Sequence, residues 1–415
     1  MTITRDALLA ERSPDLLPDP DRQPRKYLIV SADDHLVEPP HLFEGRLPAR
    51  FADRAPQVVT ADDGSQGWLV EGQLLGNVGF NAIAGRRIDV TGDPEHDPIS
   101  FADMRPGAWD IDHRVADMDL DGVYASLCFP SFLAGFGGVR LQSLSRDREY
   151  SLALVRAWND WHLEEWAGTH PGRIIPSQLT WLHEPEVAAA DIRRNAERGF
   201  RALTFPEAPH LAGLPSLHSG YWDPVIAACA ETETVICLHT GSSGRLPESA
   251  PDAPREVMSA LFGAGYALTT TVDWFYSPYP RRHPELKIVI AEGGIGWVPS
   301  LLDRLDHSDA RYTLNDQEWA RNEISRADVL LRNFWFCLLD EPSALVLRHR
   351  IGIENIMFET DYPHADTSWP RSQALLDSHV GELPADEIRR ISWQNAAELF
   401  RLDVPAAVQA DYDSY

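Results

Sequence analysis

At 415 residues the chain has room for two or three domains of about 150 residues each, or for one large α/β barrel. Apolar residues make up 44% and charged residues 24%, which excludes a disordered, collagen-like or coiled-coil protein. Lys plus Arg number 37 against 63 Asp plus Glu, and the resulting charge of −26 repels nucleic acid and anionic membrane surfaces.

Residues 1–26 lack the apolar core of a signal peptide, and no run of about 18 apolar residues occurs, so a cytoplasmic location is expected. The first β-rich run is 27–35 (YLIVSADDH). After it comes a gap longer than one strand–helix unit needs. Within the gap, 57–59, 67–71 and 73–76 read as a small meander with Gly and Asp at its turns, and 76–106 as loop. Residues 45–112 are therefore expected as an insertion after the first strand, emerging on the catalytic face of a barrel as a lid or as a structural apron. Further runs follow at 122–130, 173–180, 200–207, 234–241, 287–293, 333–339 and 355–364. Their apolar residues are contiguous, as in parallel strands covered on both faces. Helical spacing fills 147–170, 186–198 (stopped by Gly199), 224–232 and 298–306.

Eight strands alternating with helices predict an α/β chain folded as one (β/α)8 TIM barrel domain spanning 1–415. A doubly wound open sheet is the rival, but no GxGxxG opens a helix after the first strand. The four cysteines, Cys128, Cys229, Cys237 and Cys337, stand in apolar runs without CxxC spacing and read as buried thiols.

Ionisable residues gather where these runs end. The first ends in Asp33-Asp34-His35, with Asp33 and His35 on one side of a strand; later runs end in His239, Glu292 and Asp361. In a barrel these carboxyl ends meet at one mouth, where carboxylates crowded together need a cation. Asp33, His35, His239 and Asp361 are the candidate ligands, with Glu292 either a further ligand or a proton carrier, and two imidazoles with two or three carboxylates suit Zn2+, with Mn2+ or Fe2+ as alternatives. Taken singly, a strand-end His or Asp more often caps a loop or helix; the joint pattern over several strands favours a metal. Glu292 and Asp361 are candidate proton carriers, and His364, three residues on, a candidate general acid. Glu38 is a candidate acceptor for the second nitrogen of His35. Arg245, in the glycine-rich loop after His239, is a candidate clamp for a substrate carboxylate. Trp297 and the aromatic group Trp274, Phe275, Tyr276 and Tyr279 are candidate walls for a planar substrate.

The segments SADDHLVEPP (31–40), RVADMDLDGVYASLCFP (114–130), CLHTG (237–241), AEGGIGW (291–297), ETDYPHAD (359–366) and ISWQNAAELFRL (391–402) together resemble the amidohydrolase superfamily. The resemblance is to the branch that includes aminocarboxymuconate semialdehyde decarboxylase and γ-resorcylate decarboxylase. It implies that Asp33-x-His35 takes the place of the family's strand-one metal pair, with His239 its strand-five and Asp361 its strand-eight ligand. In two-metal members a carboxylated lysine ends strand four. The only lysines here are Lys26 and Lys287, outside 200–207, so one metal is implied. The characterised decarboxylases carry a proton-transferring histidine at the end of strand six, where this chain has Glu292. The resemblance implies a homodimer acting on a small carboxylic acid, by non-oxidative decarboxylation of an aromatic or enoic acid. Hydrolysis of an amide, ester or lactone at the same site is the alternative, and a non-catalytic binding protein on the same fold is the third reading.

Overall fold

The expected apolar runs form strands in the computed structural model, which describes all residues except 1–4, 11, 88–96, 246–248, 255, 313–318, 320–323 and 339. The strands are β1 (Val30–Leu36), β2 (Gln57–Thr60), β3 (Gln66–Val70), β4 (Gln73–Leu75), β5 (Ala125–Pro130), β6 (Ile174–Ile175), β7 (Ser177–Leu179), β8 (Ala202–Phe205), β9 (Val235–His239), β10 (Ile288–Ala291), β11 (Phe334–Leu338) and β12 (Ile356–Phe358). All but β2–β4 pair in parallel, β1 with β5 and β5 with β6, then β7 through β12 in chain order. Pro176 separates β6 from β7. Its ring has no N–H to give a ladder, and its carbonyl instead accepts from Arg201 N at 2.9 Å. Counting that interrupted strand once, eight strands circle a TIM barrel.

The last strand meets the first through backbone bonds just beyond β12. Asp361 N donates to Asp33 O at 3.0 Å, and His35 N donates to Tyr362 O at 2.7 Å. Buried Asp34 reinforces this seam, accepting from Tyr362 N (3.0 Å), Thr360 Oγ1 (2.6 Å), Ser31 Oγ (3.2 Å) and Ser126 Oγ.

Val30 and Ala32 of β1 share one apolar cluster with Leu127, Val235, Cys237, Val289, Ala291 and Met357, the inward residues of the other strands. Leu36 belongs to the outer cluster, because the pairing of β1 with β5 shifts register between Ser31 and Asp34. That irregularity changes the phase of the strand and re-aims Asp33 and His35 at the barrel mouth. Trp393 and Phe400, from the segment that ends the family-like region, join the same inner cluster.

The expected helices are present as Arg148–Trp161, Pro185–Arg198, Asp223–Thr232 and Val298–Tyr312. Gly199 ends the second of these at φ 115°, a conformation that a β-carbon disfavours. β2–β4 form the antiparallel meander read from the sequence. The segment expected as an insertion, 45–112, runs two residues into the barrel helix Ile111–Asp121, whose N-cap is Asp110. Its described part returns to the barrel where Ala84 N donates to Pro363 O at 2.9 Å. The four cysteines are buried free thiols, and among the described residues no helix is long and apolar enough to cross a membrane.

Candidate metal centre and active-site cavity

β1, β9 and the turn after β12 deliver Asp33, His35, His239 and Asp361 so that one donor atom from each lies within 4.8 Å of all the others. The two Nε2 atoms of His35 and His239 are 2.9 Å apart. Asp361 Oδ1 is 3.4 Å from His35 Nε2, and Asp33 Oδ2 is 3.6 Å from His239 Nε2. All four residues are buried. His239 Nδ1 donates to Thr240 O at 2.7 Å, so its Nε2 presents a lone pair to the cluster.

Among the described residues, both oxygens of Asp33 and both of Asp361 find no hydrogen-bond partner, although buried carboxylates are normally satisfied. Burial drives both carboxyls well above the ordinary carboxylate range, and neighbouring acids add to the effect: Glu359 first for Asp33, Asp366 first for Asp361. Burial also pushes His35 well below the ordinary imidazole value and His239 down to about 3. Orphaned anionic oxygens facing neutral imidazole lone pairs fit a divalent cation, which satisfies all four groups at once. The donors thus compose a site of the divalent-ion type, and Glu292, Asp361 and His364 form a second buried donor group that shares Asp361.

Glu292 and His364 complete the group. Glu292 Oε2 is 3.1 Å from His239 Nε2, and His364 Nδ1 is 3.1 Å from Asp361 Oδ1. The His364 ring stacks on His35 with centroids 3.6 Å apart. Burial raises the Glu292 carboxyl well above its usual range, and burial lowers His364 to about 4. Glu292 and Asp361 both hold left-handed backbone, φ 50° and 49°, which costs about 1–3 kcal/mol for a non-glycine residue. Backbone amides keep them there: Glu292 N donates to Glu359 Oε2 at 3.2 Å, and Asp361 N to Asp33 O.

A cavity of about 520 Å³ opens over Glu292 and His364. Its walls include Phe80, Phe132, Phe136 and Phe262, with Arg140 and Arg245 also lining it. Phe136 roofs the cluster, its ring 4.4 Å from that of His239 and 4.6 Å from that of His35. These phenylalanines escaped the sequence reading. For Phe132 and Phe136 the available signal was SFLAGFGG (131–138), an aromatic and glycine-rich loop directly after a barrel strand.

Other expectations are corrected. Glu38 does not support His35; its carboxylate accepts from Ala134 N (3.0 Å) and Leu133 N (3.3 Å), fixing the loop that carries Phe136. Trp297 is not among the cavity-lining residues: its indole packs edge-on against Phe336 and donates to Gly293 O at 2.9 Å. Trp274, Phe275 and Tyr279 are core residues, and Trp274 donates to Glu207 O. Arg245 does reach the cavity. At the end of β8 stands no lysine but buried Glu207, whose carboxylate accepts from Ser243 Oγ at 2.9 Å.

A family model described as Amidohydrolase matches residues 32–402. A search of curated proteins gives no match. Among solved structures, an amidohydrolase from Mycobacterium avium subsp. paratuberculosis superposes with a TM-score of 0.70 at 23% identity, covering 91% of this chain and 100% of the other. A 5-carboxyvanillate decarboxylase from Novosphingobium aromaticivorans, complexed with manganese and 4-hydroxy-3-methoxy-5-nitrobenzoic acid, gives 0.61 at 18% identity, over 92% and 98% of the two chains. A dihydroxybenzoic acid decarboxylase from Polaromonas, with manganese and the inhibitor 2-nitroresorcinol, gives 0.60 at 18%, over 91% and 98%.

Proposed function

Because the chain belongs to the amidohydrolase family, we propose that it is a mononuclear, divalent-metal-dependent decarboxylase of a small aromatic carboxylic acid. The observation that carries this reading is the cavity: phenylalanine walls suited to a planar ring open directly onto the Glu292 carboxyl, beside the Asp33–His35–His239–Asp361 cluster. Manganese in the decarboxylases of similar fold supports Mn2+ as the ion, and the mixed carboxylate and imidazole donor set accommodates Zn2+ as well. Held by Asp33, His35, His239 and Asp361, the ion would supply Lewis acidity towards the bound substrate.

The chain's own residues do the rest. Phe136 covers the cluster and limits water, and with Phe132 and Phe262 it holds the ring flat. Glu292, whose carboxyl burial raises above its usual range, delivers a proton to the ring carbon that bears the carboxylate. A ring electron pair forms the new C–H bond. The C–C bond then breaks, CO2 leaves, and the electrons of that bond restore the ring. His364, neutral in this setting, lines the cavity and orients a substrate oxygen by hydrogen bonding.

The test is turnover of hydroxylated benzoic acids by Mn2+-loaded protein in deuterated water. CO2 release with one deuterium entering the ring is expected; no CO2 from any of these acids, together with turnover of aryl amides, esters or lactones by the same Mn2+-loaded protein, refutes decarboxylation in favour of hydrolysis. His239→Ala and Asp361→Asn should each abolish both metal retention and turnover while the circular dichroism spectrum stays unchanged. Full activity in either variant removes that residue from the site.

A further inference from the structure

A single divalent ion leaves acidity over at the barrel mouth. Its two charges balance the carboxylates of Asp33 and Asp361. Glu292 and Glu359 stand buried beside that pair, and Glu292 feels the fields of Asp366 and Glu359. The acid at the end of β8 takes no part, because Glu207 is turned to the hydroxyls of Ser242 and Ser243.

Glu292, Asp361 and His364 each offer one donor atom within 4.8 Å of the other two, and they are 4%, 2% and 1% exposed. Among the described residues, Glu292 Oε2, both oxygens of Asp361 and both ring nitrogens of His364 find no hydrogen-bond partner. A buried imidazole with neither nitrogen bonded is costly. Stacking on His35 fixes its plane without supplying a partner, and its Nδ1 faces Asp361 Oδ1 at 3.1 Å. The group stands on the cavity side of the cluster: Glu292 and His364 line the cavity, whereas Asp33, His35 and His239 are not among its lining residues. Asp361 has an oxygen for each side. Paired divalent ions in two-metal sites lie about 3.5–4 Å apart, a span that one carboxylate bridges.

We propose that Glu292, Asp361 and His364 form a second divalent-cation site, joined to the first through Asp361, and that its occupation inhibits the enzyme. An ion held there binds Glu292 as a carboxylate, so that this group no longer carries a proton to the ring. It also engages the His364 nitrogen that orients the substrate, and it stands between the cavity and the first ion. The inhibition rests on the reading of Glu292 as proton carrier: with one ion bound Glu292 is free for chemistry, and with two it is a ligand. The second site has three donors against four and lies beside a cation already in place, so it fills only after the first. Excess divalent metal thereby limits turnover through the same residues that perform it.

The test titrates chelator-stripped protein with Mn2+, followed by calorimetry and electron paramagnetic resonance, with turnover of hydroxylated benzoic acids measured at each loading. Wild type should bind a first ion and then a second at least about tenfold more weakly. The resolved hyperfine signal of an isolated Mn2+ should give way to a broadened, exchange-coupled one as the second enters. Turnover should rise with the first ion and fall at least about tenfold with the second, since a positioned proton carrier contributes about that much or more. Glu292→Gln and His364→Ala should keep the first binding event within about threefold and weaken the second at least about tenfold. The retained first event certifies that each variant is folded. A single bound ion in wild type up to about 1 mM Mn2+ overturns the second site. So does loss of the first event in Glu292→Gln, which makes Glu292 a ligand of that ion. Turnover undiminished by the second ion overturns the inhibition. Lack of turnover at every loading overturns the decarboxylase reading and the inhibition together, while the binding and resonance results still decide the second site.

Discussion

Replacing Asp34 with alanine tests whether the seam between the first and last strands depends on one side chain. Asp34 is 1% exposed and accepts from Tyr362 N, Thr360 Oγ1, Ser31 Oγ and Ser126 Oγ, with Arg114 Nη1 4.0 Å away. In Asp34→Ala the hydroxyls can turn to other acceptors, but the Tyr362 amide and the Arg114 guanidinium cannot follow. An orphaned buried donor costs about 1–3 kcal/mol, and removing the partner of a buried charge about 3–5 kcal/mol. Arg114 keeps its bonds to Gly107 O (2.7 Å) and His35 O, which places the total near the lower part of that range, about 4 kcal/mol. At about 2.1 cal/mol/K per residue the unfolding entropy of a chain this long is about 0.9 kcal/mol/K, so the melting temperature should fall by about 4–5 °C. Thermal scans followed by circular dichroism measure this, with metal content determined in parallel. Residues 360–362 lose their tether to β1, so the variant should also retain less metal. Adding Arg114→Met should recover part of the loss, because the uncompensated cation is then gone. A variant that melts within 1 °C of wild type and keeps its full metal complement refutes the reasoning.

Asp121 lies far from the cluster in sequence and is held at its carboxylate by Ser372 N (2.9 Å) and Ser372 Oγ; burial pushes it up to about 7. A carboxyl raised in the folded state favours folding least when ionised, so its penalty is absent below pH 4, grows as pH rises, and is complete above about 7. That shift corresponds to a destabilisation on the order of 4 kcal/mol, so Asp121→Asn should gain several degrees relative to wild type at pH 8 but not at pH 4. Parallel melts at the two pH values decide it, and an equal difference at both removes Asp121 as the cause. Stripping metal with a chelator should lower the melting temperature, and Mn2+ at about 100 times its dissociation constant should restore about 2.7 kcal/mol; indifference of the melt to both treatments contradicts a bound ion. Phe136→Ala should open the cluster to water and raise KM for an aromatic acid about tenfold, read from steady-state kinetics, whereas an unchanged KM takes that ring out of substrate binding.

The eight barrel strands are visible in the sequence because each is a contiguous apolar run, and the four that carry the cluster turn ionisable at their ends, a pattern that survives without any knowledge of tertiary contacts. Asp33, His35, His239 and Asp361 were legible for the same reason: barrel topology alone brings strand ends together. The register irregularity in β1 was not, since no glycine or proline marks residues 31–34. Pro176 did mark the break between β6 and β7, but a proline inside an apolar run does not say which neighbours each half will pair with. Phe136 lies in a loop whose fold over the mouth depends on distant contacts, notably the capture of the Leu133 and Ala134 amides by Glu38. Trp297 misled because position just after a strand end specifies the face of the barrel, not the direction in which a long side chain turns.

The left-handed backbone at residue 292 has a consequence for how such a site changes over generations. Where the main chain itself sets the exit vector of a side chain, exchange of one proton carrier for another needs no rebuilding of the strand beneath. Asparagine, aspartate and histidine tolerate this conformation better than most residues, so a histidine substituted at position 292 would leave β10 along the line that Glu292 now follows. A lineage can therefore retune the acidity of the group at this position by a single codon replacement, and the barrel need not register that anything happened.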